Sequence, residues 1–183
     1  MNFDSVLKLL IENFEKHQIR FALMGGFALH VAGFTRATQD IDFLIDREDL
    51  PKVKGLMFSF GYELLHESED TTNFLGKLKE LGKVDFLHAH RSYAKAMLQR
   101  ARDHEVFDGK FKIKVIVPED LIGLKVQASS NDPERYHQDM ADIEYVLKAN
   151  KGRLNLDLVR EYFELFHREK ELEGILEKIN YAD

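Results

Sequence analysis

An α/β (α+β) domain, with a small mixed sheet and flanking helices, followed by a helical C-terminal region, is predicted by three observations. Short β-prone runs alternate with helix-patterned stretches up to about residue 117. Pro118-Glu119-Asp120 then opens a segment with helical periodicity and no strand signal. Between them, residues 40–45 alternate strictly, with Ile41, Phe43 and Ile45 on one face and Asp40, Asp42 and Leu44 on the other.

Taken in order, residues 3–17 form an amphipathic helix with Val6, Leu9, Leu10 and Phe14 at helical spacing. A β-prone run over 20–24 stops at Gly25-Gly26. A short helix over 27–32 ends at Gly33, and the alternating strand over 40–45 follows. Residues 48–60 are predicted helical, ending at Gly61. Strands are expected over 62–65, 73–77 and 83–87, and a helix over 91–102. Asp108-Gly109 suits a type I′ turn in a hairpin over 106–113. Beyond Pro118, helices are expected over 119–130, 133–149, 155–167 and 169–179. The expected division is therefore 1–117 and 118–183, at a change in composition and not at a flexible linker.

Composition narrows the function. Of the 183 residues, 44% are hydrophobic, which is enough for a core. The absence of cysteine excludes disulfides and thiolate metal sites and suits a reducing compartment. The N-terminus carries acids in its first turns and no unbroken apolar stretch, so no signal peptide is expected. No apolar run approaches the ~18 residues of a membrane span. A cytoplasmic protein without a membrane partner is the expectation. The net charge of −6 argues against a broadly basic nucleic-acid surface. Residues 77–114 carry ten bases against five acids. They are read first as solvated strand and helix faces and second as a local basic face.

The chemistry concentrates in residues 25–42. In a strand, residues two apart share a face, so Asp40 and Asp42 stand side by side and repel unless a cation intervenes. Such a pair is what a divalent, oxygen-seeking metal requires. A two-metal phosphoryl-transfer site needs a further carboxylate. Asp85, in the strand predicted over 83–87, is the candidate. Gly25-Gly26, between strand and helix, lets a triphosphate approach the backbone at a helix N-terminus. Asp-x-Asp or Gly-Gly alone is a weak signal. The combination, in this order and on these elements, is a strong one.

This pattern resembles the DNA polymerase beta-like nucleotidyltransferase superfamily. Gly25-Gly26, Ala28-Leu29, Arg36, Thr38 and Asp40-Ile41-Asp42 resemble its bacterial branch that includes abortive-infection toxin-type enzymes. So do Pro118-Glu119-Asp120-Leu121-Ile122, Leu124-Lys125, Arg135, Asp139 and Asp142-Ile143. The resemblance covers about residues 20–148. It implies transfer of an NMP from an NTP such as ATP, with Mg2+ or Mn2+, and release of pyrophosphate. It implies that Asp40, Asp42 and Asp85 are the catalytic, metal-binding residues, that Gly25 and Gly26 hold phosphates, and that Lys125 reaches the nucleotide phosphates. Many members carry serine after the first glycine; here Gly26 takes its place and removes one hydroxyl contact. Three acceptors fit: tRNA, a small hydroxylated molecule, or a protein side chain. A toxin-type enzyme would add an antitoxin protein as partner. The competing readings are a nucleotide-binding module of the same fold without turnover, and a metal-dependent phosphohydrolase. The three aspartates count against the first, and the glycine cradle without a His–Asp metal pattern against the second.

Other residues carry two readings each. Arg36 contacts phosphate or base, or salt-bridges an aspartate; Thr38 is grouped with it as a nucleotide contact. Lys125 is a phosphate contact or a solvated lysine. Asp139 and Asp142 share a helix face, and either orient Lys125 or Arg36 or are solvated. Asp46 is read as a helix cap at the strand exit, and His30 as packed or exposed rather than catalytic. His88, His90 and His104 lack metal-ligand spacing, and Tyr162, Phe163 and Phe166 are read as core or an oligomer contact.

Overall fold

The computed structural model describes residues 1–34, 40–106, 109 and 111–181. It has the mixed α/β architecture that the hydrophobic periods predict. The chain runs α1 (Phe3–Lys16), β1 (Phe21–Leu23), α2 (Gly25–Val31), β2 (Asp40–Asp46), a 3-10 turn (Arg47–Asp49), α3 (Leu50–Ser59), β3 (Tyr62–Glu67), β4 (Thr71–Gly76), β5 (Lys83–Ala89), α4 (Ser92–Arg100), β6 (Arg102–Val106) and β7 (Phe111–Val115). Four helices follow: α5 (Pro118–Asn131), α6 (Tyr136–Ala149), α7 (Leu156–Glu164) and α8 (Glu169–Tyr181). Among the described residues, seven strands form one sheet in the order β3-β4-β5-β2-β1-β7-β6.

The chain divides into two compact units. One comprises Met1–Phe27 with Ala37–Ile116, the other Ala28–Arg36 with Val117–Asp183.

In the first unit the sheet is mixed because β2 lies parallel to β5 and antiparallel to β1. The β2–β5 register aligns Ile41 with Val84 and Phe43 with Phe86 on the face that turns toward α1. Phe14 of α1 sits 5.3 Å from the Phe43 ring and 6.1 Å from Phe86, and those two rings stack at 5.6 Å. Such aromatic packing fixes register, since a one-residue slip would turn these rings to the opposite face. The buried stripe of α1 is Val6, Leu7, Leu10, Ile11 and Phe14, rotated slightly from the predicted one, with Leu9 at its margin.

Several boundaries differ from expectation. The helix predicted over 91–102 stops at Arg100, and Arg102 already begins β6, which pairs with β7 from Arg102↔Val115 to Val106↔Phe111. The hairpin is thus longer than its turn signal alone suggested; Gly109 adopts φ +78°, while Asp108 lies outside the described residues. Residues 47–49 form a 3-10 turn before α3, capped by the Asp46 carboxylate, which accepts from the Glu48 N–H at 3.0 Å. That cap is the role predicted for Asp46.

In the second unit α5 and α7 approach closely at Gly123, where a Cβ would meet the Tyr162 ring at 2.7 Å. Tyr162 donates to Asp120 at 2.7 Å, which satisfies both buried groups. Residues 28–34 belong to this unit through α6: Tyr145 Oη donates to Gly33 O at 3.0 Å and Asn150 Nδ2 to Ala32 O at 3.1 Å.

Candidate active site

The β2–β5 register that the aromatic core selects also aligns the acids. Asp42 pairs with Asp85 and Asp40 with Lys83, all on the face opposite Phe43 and Phe86. On the next strand, Asn73 of β4 pairs with Asp85. One sheet face therefore presents Asp40, Asp42, Asp85, Lys83 and Asn73 together.

Their polar contacts are specific. Asn73 Nδ2 donates to Asp85 Oδ1 at 2.7 Å, and Lys83 Nζ donates to Asp85 Oδ2 at 2.6 Å. The same ammonium stands 4.0 Å from Asp40 Oδ2. Burial lowers the Lys83 pKa, but the hydrogen bond to Asp85 and the charges of Asp85, Asp40 and Asp42 outweigh it, and the net shift is upward. Asp42 is pushed up to about 6, first by burial and then by Asp85 and Asp40. Lys83 and a hydrogen bond from the Gly26 N–H oppose that rise. Three like charges held this close are the condition a divalent cation relieves. Among the described residues, however, no group of three or more His, Asp or Glu side chains is arranged to hold a metal ion as it stands.

Gly25 opens α2 with φ +59°, and a Cβ there would collide with the Asp42 carboxylate. Its lack of a side chain therefore accommodates Asp42. Gly25→Ala is expected to cost about 1–3 kcal/mol of stability from the φ strain alone. It should also remove most of the enzyme's turnover by displacing Asp42. A thermal melt and a turnover assay on the purified variant check this; wild-type values in both would show that the contact is immaterial.

Gly25, Gly26, Asp40, Asp42 and Asp85 all fall in the first unit. Arg36 and Thr38 lie outside the described residues. Lys125 lies in the second unit, only 9% exposed, where its ammonium donates to Asp142 at 2.6 Å and Asp139 at 2.9 Å. Asp139 Oδ2 is buried without a hydrogen bond among the described residues; Arg135 Nε stands 3.2 Å from it, an ion-pair contact only. The two carboxylates thus act on Lys125 as one of the two predicted readings had them.

Lys83 and Asn73 were not singled out from the sequence. The signal was available for Lys83, which precedes Asp85 by two residues in a predicted strand and so shares its face. His30 is exposed; His88 is buried against Thr72 and Glu69, and His90 pairs with Asp70. A cavity of about 690 Å3 opens at the far end of β2, lined by Arg20, Asp46, Lys95 and Lys112 among others, and includes none of the residues predicted to bind metal or nucleotide.

The sequence matches, over residues 3–178, the family described as "uncharacterised nucleotidyltransferase". The chain belongs to that family. Solved nucleotidyltransferase structures share its fold. The solution structure of the antibiotic-resistance factor ANT(2'')-Ia is 12% identical and superimposes with a TM-score of 0.67 over 100% of both chains. A nucleotidyltransferase-like protein from Paracoccidioides brasiliensis is 19% identical, with a TM-score of 0.59 over 96% of this chain and 92% of its own. The lincosamide antibiotic adenylyltransferase LnuA, with lincomycin bound, is 19% identical, with a TM-score of 0.56 over 78% and 96%. No curated protein sequence matches the chain. As a nucleotidyltransferase, the protein is an enzyme of NMP transfer. No described helix is long and apolar enough to cross a membrane.

Proposed function

We propose that this nucleotidyltransferase transfers an NMP from an NTP to a small hydroxylated acceptor, with a divalent cation held by Asp40, Asp42 and Asp85. The observation that carries the reading is the in-register Asp42–Asp85 pair, with Asp40 on the same face and Gly25 against Asp42. The residues fit the cation: burial, with the neighbouring Asp85 and Asp40 charges, pushes Asp42 up to about 6, and a lysine ammonium already counters those charges. When bound, Mg2+ or Mn2+ would neutralise phosphate charge and stabilise the charge that develops on the reacting oxygens.

The acceptor hydroxyl oxygen forms a bond to the α-phosphorus. The bond from that phosphorus to the oxygen bridging it to the β-phosphorus breaks, and pyrophosphate leaves with the electron pair. Asp85 takes the acceptor proton. Gly25 and Gly26 border the phosphates, and Arg36, Thr38 and Lys125 are proposed as further nucleotide contacts. Residues 1–117 are proposed as the catalytic core and 118–183 as the helical C-terminal region. A small acceptor is preferred to tRNA because the net charge is −6. The adenylyl-tobramycin and lincomycin complexes of the fold neighbours point the same way. A toxin-type role with an antitoxin partner rests on the motif resemblance alone. A cytoplasmic location rests on the absence of cysteine.

The test is incubation with each NTP labelled at the α-phosphate, with Mg2+ or Mn2+, against hydroxylated antibiotics, tRNA and a cell lysate. Label on an acceptor, pyrophosphate release and loss of both in EDTA are expected. Release of inorganic phosphate without labelled acceptor would replace this reading with hydrolysis, and binding without turnover would replace it with a binding module.

A further inference from the structure

We infer that Lys83 is a resident competitor of the metal: its ammonium serves as the counter-charge of the carboxylate cluster, and a divalent cation engages Asp85 only by displacing it. The inference rests on the proposed metal site.

Both Asp85 oxygens are already engaged, Oδ1 by Asn73 at 2.7 Å and Oδ2 by Lys83 at 2.6 Å. The Lys83 ammonium also faces Asp40 at 4.0 Å, so it lies on the shared face where these carboxylates would hold a cation. The Lys83–Asp85 contact blocks Asp85 from accepting a proton from an acceptor. Lysine suits a displaceable role. It is a compact point charge on a flexible four-carbon stem, whereas arginine would fork onto the carboxylate and hold it. The Lys83 side chain is 36% exposed, so it needs little rearrangement to swing into water. Asn73 is uncharged and keeps Asp85 oriented while the lysine leaves.

A plain structural brace between β2 and β5 makes the opposite forecast from a competitor. Removing a brace loosens Asp85 and leaves metal affinity unchanged or lower. Removing a competitor takes a positive charge from beside a dication and tightens binding, by about tenfold for one charge a few ångströms away.

The experiment is titration of the full chain with Mn2+, following free ion by its electron paramagnetic resonance signal, for wild type, Lys83→Met, Lys83→Gln, Lys83→Arg and Asp42→Asn. Circular dichroism establishes folding, and the glutamine variant serves if the methionine variant does not fold. Mn2+ binding about tenfold tighter in the Met or Gln variant, binding weaker than wild type in Lys83→Arg, and weak binding in Asp42→Asn are expected. Asp42-dependent binding that Lys83→Met and Lys83→Gln leave unchanged or weaken would overturn the competitor role alone. Binding indifferent to Asp42, or absent from every variant, would overturn the metal site and this inference with it.

Discussion

Asp42→Asn is expected to reduce NMP transfer by about a thousandfold or more, because the interactions it removes act on the charge that develops in the transition state. The metal-free protein should gain stability from the same change. Asp42 sits near pH 6 in the fold against 3.8 ordinarily. The folded state therefore takes up the proton first, and stability declines as pH rises from about 4 to about 6. Above that range the penalty is complete, on the order of 3 kcal/mol at most. Asparagine carries no such penalty. In EDTA the variant should melt above wild type at pH 7.5, and the difference should vanish below about pH 4. Melting curves across that range, with a transfer assay at pH 7.5, check both arms. Wild-type transfer by the folded variant would remove Asp42 from the chemistry, and equal melting at pH 7.5 would show that burial and the neighbouring acids do not disfavour the Asp42 charge as described.

Lys125→Met is expected to destabilise the helical unit by about 3–5 kcal/mol. It leaves two buried carboxylates facing one another without their shared ammonium. Asp139 already has one buried oxygen with no hydrogen bond among the described residues. Adding Asp142→Asn to Lys125→Met should recover at least about 1 kcal/mol, since one of the stranded charges is gone. Urea denaturation of the two variants against wild type measures both quantities. A single variant within about 0.5 kcal/mol of wild type would mean the ion cluster contributes little. The nucleotide role proposed for Lys125 is separable: where Lys125→Ala remains folded, NTP affinity should fall more than Mn2+ affinity.

The period-2 alternation over 40–45 was enough to place Asp40 and Asp42 on one face, because side-chain direction in a strand is a local property. The strand around Asp85 was legible for the same reason. Its register against β2 was not, since that is chosen by Phe14, Phe43 and Phe86 packing across long stretches of chain. Lys83 was counted among surface bases because charge counting carries no information about which acid lies across the sheet. The second role of Gly25 was hidden likewise: its neighbour is the Asp42 side chain, far along the chain. Ala32 and Gly33 pack on Asn150 and Tyr145, more than a hundred residues away, and no local pattern announces such contacts. The boundary at Arg100 was misplaced because the helix ends and the strand begins on arginine, Arg100 and Arg102, a residue type that marks neither.

The parallel pairing of β2 with β5 means that the site has no local precursor. A parallel partner needs a crossover, and here α3, β3 and β4 must all be made before β5 can dock beside β2. As the chain leaves the ribosome, the glycine and Asp-x-Asp motifs emerge well ahead of Asp85 and wait without their partner. A docking slip of one residue would turn Asp85 into the phenylalanine cluster, where an unpaired carboxylate is strongly disfavoured. The chain therefore commits to one register of the sheet before it can have any chemistry, and the error that would spoil the site is also one the core rejects.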